Sequence, residues 1–454
     1  MTIIILLSLS AVSAAEIEDN PSPLSANENN DVLKAPGDGT FKNLRDDINN
    51  QLVNDPQNVK LDKNYTFSDS DLQGPIPIEP NSGIDISASC TIDGQNNYVD
   101  GNHLSRIFTI SGDNVVLKNI KFLNANHTAV WLTGSNCIID NCTFANNSIN
   151  GSVDYHGGGA IYWRGTGGKV INSVFNNNSV IDGDDKHARG GSIFWTGDDG
   201  NVSYCNFTDD YSKKHSASIS WGSPMEQIIP ENGYVYRCNF ERGATLYNGA
   251  ALNSNSKKFK LIECNFTNNT AVHSPIVIED DAVNSLVSHC NFIGNKVIYD
   301  DTYPADTGEF SATGALEVQA PNATVEYCNF INNTAIETVS APNGYYVGAL
   351  KVDGGSHYTN VSYCNFINNS ATHYAGAIEW QGTYGTLKHS NFTNNSATEG
   401  YAGAVYWRDS GSNGTVLYSD FTNNSADGDG GAIYWEGASG TVFGSNISLI
   451  TSLK

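Results

Sequence analysis

The feature that most constrains this chain is one unit repeated in register along most of its length. The first half of the unit reads apolar-x-x-Cys-x-Phe-x-Asn-Asn, as where Val325 leads to Cys328, Asn329 and Phe330. The Phe position recurs at 122, 144, 175, 207, 240, 266, 292, 330, 366, 392 and 421, and Ile447 takes the last place. That makes 12 units with a mean step of about 30 residues. The second half reads Gly-Ala-Ile-x-Trp, as in Gly159–Trp163, Gly376–Trp380 and Gly431–Trp435.

Spacing assigns faces. Ile161 and Trp163 are two apart and leave a strand on the same side. The residue between them is Tyr, Phe, Ser, Glu or Lys in different units, and that indifference predicts a solvent-facing position. Cys and Phe are also two apart and face inward. The apolar residue five before Phe breaks the alternation, which predicts a bend at sites such as Ser203-Tyr204. No helical period runs through the unit. Such a unit cannot bury its apolar face alone, so coils must stack at about 4.8 Å with Phe on Phe and Cys on Cys. The expected fold is all-β, a parallel β-helix of about 12 coils. Its hand is right, following the preference of parallel crossovers. A leucine-rich horseshoe lacks its Leu pattern here, and a propeller blade needs about 40 or more residues.

The Asn pairs after Phe suit the corners, because Asn accepts left-handed turns and stacked amides bond from coil to coil. Residues 40–52 place Phe41, Leu44, Ile48 and Leu52 at helical spacing, with Thr40 as N-cap. This predicts an amphipathic helix capping the first coil, since open sheet ends aggregate. The expected layout is a signal peptide over 1–15, an acidic disordered leader over 16–37, the cap and first strands over 38–90, and β-helix repeats over 91–454. The signal rests on the apolar run 2–12 ahead of Ser13-Ala14-Ala15. It predicts a secreted or cell-surface protein. No other stretch has the roughly 20 apolar residues that span a bilayer.

Composition narrows the partners. The formal net charge is -24, with only 24 Lys and Arg, so nucleic acid is excluded as a natural partner. Asn makes up 56 of 454 residues, the signature of a turn-rich solenoid and not of a helical bundle. The step from Ile of the second motif to the next Phe is 14 in most units, whereas the step from Phe to the next Ile runs from 12 to 24. Most insertions therefore leave one side of the stack, which is where solenoids bind. The candidate ligand-binding residues on these loops are Tyr155, His156, Asp184, Asp185, Tyr299, Asp300, Asp301, Tyr303, Tyr345 and Tyr346. One insertion, 222–232, lies in the other interval.

The repeated Gly-Gly-Ala-Ile and Phe-x-x-Asn tetrapeptides, as at Gly430–Ile433 and Phe421–Asn424, resemble those of the chlamydial polymorphic outer-membrane proteins. The Tyr-Cys-Asn-Phe-x-Asn-Asn form, with Thr91–Gly94 and Arg106–Phe108 leading in, is more similar to the adhesin-like surface proteins of methanogenic archaea. The resemblance covers about residues 38–447. It implies a secreted parallel β-helix engaged in attachment to surface glycans or to proteins of a partner cell. It brings no catalytic residues. The matched stretch carries neither an autotransporter barrel nor a cell-wall-binding repeat.

Two rival readings remain open. One is a carbohydrate-active enzyme, a polysaccharide lyase or hydrolase, because such enzymes use this fold. Gly197-Asp198-Asp199 and His156-Gly157 resemble pieces of the polygalacturonase signature, but in reversed order. The other is a purely structural cell-wall rod. Seven of nine Cys occupy one position of the unit, where Ser173, Ser390 and Ser419 replace them, which predicts buried thiols and no disulfide framework. Frequent Asn-x-Ser/Thr sequons, such as Asn206 and Asn265, are first of all corner chemistry. No cofactor is called for. Acidic pairs such as Asp184-Asp185, Asp280-Asp281 and Asp300-Asp301 are candidates for Ca²⁺, with solvated turns as the plainer reading.

Overall fold

The structure, a computed structural model, describes residues 38–55, 57–150, 157–181, 188–299, 311–337 and 344–452. The signal segment and the acidic leader lie outside the described residues. Most coils contribute short strands to four sheets, numbered here in the order such a coil visits them. Sheet 1 has 14 strands, from Val59–Lys60 to Thr441–Phe443, and sheet 2 has 14, from Tyr65–Thr66 to Asn446–Ser448. Sheet 3 has 11, from Ser148–Ile149 to Thr451–Ser452, and sheet 4 has 13, from Ile84–Ile86 to Ile433–Trp435. Each strand pairs in parallel with the strand one coil on, which makes a right-handed parallel β-helix. Sheets 1 and 2 contain 14 rungs and not 12. Tyr65 and Val99 stack ahead of Phe122 in the same column but lack the Phe-x-Asn-Asn signature that marks the later coils.

The core is built from side-chain columns. The Phe residues of sheet 2 stack from Phe122 to Phe421 with centroids 4.6–5.1 Å apart and interplanar angles of 1–12°. Trp163 and Trp195 stack at 4.3 Å in sheet 4, and Trp380 and Trp407 at 4.5 Å. Each of these indoles donates to a carbonyl a few residues on, as Trp163 does to Gly165 at 3.1 Å. A glycine in the following corner leaves room for the ring: a Cβ on Gly168 would lie 2.1 Å from Trp163. All nine Cys are buried, and none is in a disulfide.

Corners follow from Asn chemistry. The first Asn after Phe takes the left-handed conformation, for example Asn332 at φ 55° and Asn368 at φ 54°. The second turns inward and is buried. Asn333 donates to the carbonyl of Phe292 at 2.9 Å and to Asn369 Oδ1 at 3.0 Å, and its own Oδ1 accepts from the backbone and amide of Asn295. The same pattern links Asn369, Asn395 and Asn424. A buried amide in such a column has every bond satisfied, which removes the penalty of burying it. The bend expected at Tyr204 is real, with φ 57°.

At the first coil, the single α-helix of the described residues, α1 (Phe41–Asn54), buries Phe41, Leu44 and Ile48. Thr40 caps it in a capping box with Asn43, and Phe41 packs edge-on against Phe67 at 5.2 Å.

One expectation fails. The residue between Ile and Trp in sheet 4 points outward, as parity requires, but it is not solvated. Tyr162, Phe194, Glu317, Lys351, Glu379 and Tyr406 are all buried. Parity gives direction and says nothing of cover.

Candidate functional site on the outer face of sheet 4

This outward column joins residues far apart in sequence. It runs Trp131, Tyr162, Phe194, Ser220, Asn253, Val277, Glu317, Lys351, Glu379, Tyr406 and Tyr434. Two rungs, Asp85 and Thr109, precede Trp131 in the column; aromatic rings sit toward both ends and ionic groups toward the later middle. At the early end Tyr162 lies 4.3 Å from Trp131 and 5.4 Å from Phe194, ring to ring. The Arg106 guanidinium stands 4.6 Å over Trp131.

In the middle, Lys351 Nζ is 3.3 Å from Glu317 and 2.6 Å from Asp353. Glu317 also accepts from Ser274 at 2.6 Å and from Gln319 at 3.2 Å. Burial works to lower the Lys351 pKa, but Glu317, Asp353 and Glu379 outweigh it and the pKa rises. Lys351 is therefore a fixed cation and unsuited to act as a base. Glu379 accepts from Gln381 at 2.8 Å and Arg408 at 3.1 Å on one oxygen. Its other oxygen is buried with no hydrogen-bond partner among the described residues.

Glu279 differs. Burial pushes its carboxyl up to about 7, opposed by a 2.6 Å bond from Asn253 and by the Arg189 charge. Arg189, from the corner leading into sheet 4, faces both Glu279 and Glu226. Asp280 is raised too, by burial first and then by Asp353 and Asp281.

At the late end four tyrosines converge. Tyr401 lies 6.0 Å from Tyr374 and 5.4 Å from Tyr434, and Tyr406 lies 5.7 Å from Tyr374 and 5.4 Å from Tyr434. Arg408 stands 5.9 Å from Tyr374 and 5.8 Å from Tyr406. Tyr401 is 43% exposed, so the cluster presents ring surface to solvent. The Tyr406 hydroxyl donates to Glu436 at 2.7 Å. The chain has only seven arginines, and four of them, Arg106, Arg164, Arg189 and Arg408, belong to this face.

Of the loop residues singled out by sequence, Tyr155, His156, Asp184, Asp185, Asp300, Asp301 and Tyr303 lie outside the described residues. Tyr299 and Tyr345 end and begin strands Lys296–Tyr299 and Tyr345–Val347, with only their backbones described. Tyr346 is fully buried, packed with Val297, Ala312, Ala335 and Ala371. It serves a small satellite core and offers no ring to a ligand. The strand it belongs to pairs with Ser311–Thr313, so two insertions pair with each other beside sheet 4. Asp198 and Asp199 hold a corner, accepting from the Glu231 backbone and the Asn232 amide, both at 2.8 Å. Among the described residues no group of three or more His, Cys, Asp or Glu is arranged to hold a metal ion, and no helix is long and apolar enough to cross a membrane.

The Chlamydia polymorphic membrane protein repeat matches residues 418–434. No curated protein is significantly similar in sequence. Among solved structures, the chain is similar to an alginate lyase in complex with G6, at TM-score 0.51 and 13% identity over 85% of each chain. It is also similar to a tailspike protein of E. coli bacteriophage HK620, at TM-score 0.37 and 13% identity over 87% of this chain and 68% of that one. The A-module of an Azotobacter vinelandii mannuronan C-5 epimerase gives TM-score 0.34 and 9% identity over 90% and 99%. At such identities the first of these shows a shared fold and nothing more.

Proposed function

We propose that this protein is a surface-displayed, adhesin-like β-helix that binds glycans along the outer face of sheet 4. One observation carries the reading: in a chain of net charge -24, four of seven arginines and two groups of aromatic rings gather on that one face. Aromatic faces with charged and amide groups beside them suit sugar rings and their hydroxyls. A linear glycan laid along the axis crosses successive rungs about 4.8 Å apart and meets a different set of side chains at each. Many weak contacts then add up. The match to a polymorphic-membrane-protein repeat supports a surface setting. The loops bearing Tyr155, His156, Asp184, Asp185, Tyr299, Asp300, Asp301, Tyr303 and Tyr345 enter sheet 4 in the chain and are proposed as further contact elements. The test is binding to an immobilised glycan panel by wild type and by a Tyr401→Ala, Tyr434→Ala double variant. A loss of tenfold or more, about 1.4 kcal/mol, at unchanged melting temperature is expected. Equal binding would overturn the assignment, and no binding by either would leave the purely structural rod.

A second reading has its own support. Glu279 has a carboxyl that burial pushes up to about 7, with the Glu317 charge adding to the rise, and a raised carboxyl is what a general acid in a carbohydrate-active enzyme needs. Incubation with a polysaccharide panel and measurement of released reducing ends decides it. Release that disappears in Glu279→Gln would establish catalysis as the main role.

A further inference from the structure

The 222–232 insertion, the one that leaves the opposite interval from the rest, has a structural consequence at the early end of the same face. Gly222 takes φ +78°, and Ser223 and Ile228 exchange two backbone hydrogen bonds of 2.9 Å. The result is a tight hairpin braced by Pro224 and Pro230. It forms one wall of a shallow pocket of about 310 Å³ lined by Tyr162, Arg164, Thr196 and Ile228. We infer that this pocket is the seat for a carboxylate-bearing sugar, a uronate-type residue within a linear glycan. The inference rests on the glycan reading above and adds the class of sugar.

Arg164 is exposed, and its guanidinium has no hydrogen-bond or ion-pair partner among the described residues. The other arginines of this face are engaged, Arg408 by Glu379 and Arg106 by Trp131 and the His127 carbonyl. An unengaged guanidinium beside a pocket is a ready fork for a carboxylate, which it binds through two parallel N–H donors. Tyr162 lines the pocket with its ring almost wholly buried, and the part-exposed Trp131 of the adjacent rung, 4.3 Å away ring to ring, is the aromatic surface nearest to it that a sugar can reach. The Tyr162 hydroxyl lies close to Arg164, Glu226 and Thr196. Glu226, on the hairpin, is a carboxylate acceptor for sugar hydroxyls, and Thr196 supplies a second hydroxyl contact. The pocket is at the small end of ligand sites, with room for one sugar ring.

The experiment measures binding of galacturonate and mannuronate hexamers, and of cellohexaose as a neutral hexamer, to the whole protein by calorimetry over a salt series. Wild type should prefer the acidic hexamers by tenfold or more, with affinity falling as salt rises. Arg164→Ala should erase the preference, and Arg164→Lys should restore part of it, since it keeps charge but loses the fork. Melting temperature should stay constant because the side chain is exposed. Equal affinity for neutral and acidic hexamers, or acidic binding unchanged by Arg164→Ala, overturns the pocket. If the Tyr401→Ala, Tyr434→Ala variant loses glycan binding while Arg164→Ala does not, the sheet 4 reading stands and the pocket assignment alone falls. If no hexamer and no glycan of the panel binds, both fall.

Discussion

Replacing Asp210 by Asn should stabilise the protein and flatten the pH dependence of its stability. Asp210 stands in the buried Asn column next to Asn178, whose backbone and side-chain amides both point at Asp210 Oδ1, at 3.0 and 3.4 Å. In the preceding rung the Asn178 amide donates to the Phe144 carbonyl at 3.1 Å. An ionised Asp210 has no proton to offer in the equivalent place. Burial pushes its carboxyl up to about 7, in spite of the hydroxyls of Ser192 and Ser218 and the Asn178 amides. The unfolded carboxyl titrates near 3.9. Between these values the native state holds the extra proton, so stability falls as pH rises from about 4 to about 7 and is level above that. That difference corresponds to a ceiling of about 4 kcal/mol. An amide carries no such cost and also completes the column. Chemical denaturation of wild type and Asp210→Asn from about pH 4 to pH 8 reads the difference. The host must not glycosylate, because the change completes a sequon with Ser212. The gap should be small at pH 4 and open to as much as about 4 kcal/mol at pH 8. Parallel profiles, or a variant less stable at pH 8, would refute the reasoning.

Other outcomes follow from the same columns. Phe330→Ala removes a ring stacked between Phe292 and Phe366 and should cost about 3–5 kcal/mol by denaturant titration; Phe330→Asp should cost more, since it buries an unpaired charge. Asn333→Ala deletes two donors and the acceptor for Asn295, and should cost about 3 kcal/mol, with amide exchange accelerating first in the rungs around it. Replacing 300–310 by a short linker should weaken glycan binding and leave the far-ultraviolet dichroism unchanged.

Much of the fold was legible because the repeat obeys simple parity. Phe and Cys two apart, an odd step at Ser203-Tyr204 and Asn at the corners gave the inward columns, the bends and the stacking direction. Thr40 with Phe41, Leu44 and Ile48 gave the capping helix. Two coils were missed because Tyr65 and Val99 stack without the motif. The site was nearly invisible. Arg106, Arg164, Arg189 and Arg408 are single residues far apart in the chain, and only the coil register brings them together. The clue was the x of Gly-Ala-Ile-x-Trp, whose variability reads as solvation. In fact each x faces a different part of one surface: Tyr162 an aromatic end, Lys351 and Glu379 an ionic middle, Tyr406 a tyrosine cluster. The loop residues chosen by spacing are mostly outside the described residues, and Tyr346 belongs to a small core.

The register on which all of this depends is open to direct distance measurement. Thr208 and Thr422 lie in the same outward column of sheet 2, seven rungs apart. The native thiols are buried, so nitroxides attached through Thr208→Cys and Thr422→Cys label those sites alone. At about 4.8 Å per rung the pair should lie about 34 Å apart, and a Thr267→Cys, Thr422→Cys pair, five rungs apart, about 24 Å. Pulsed electron resonance distances that step with the rung count would bear out the stacked columns and the composite face built on them. Distances that ignore the rung count would contradict both.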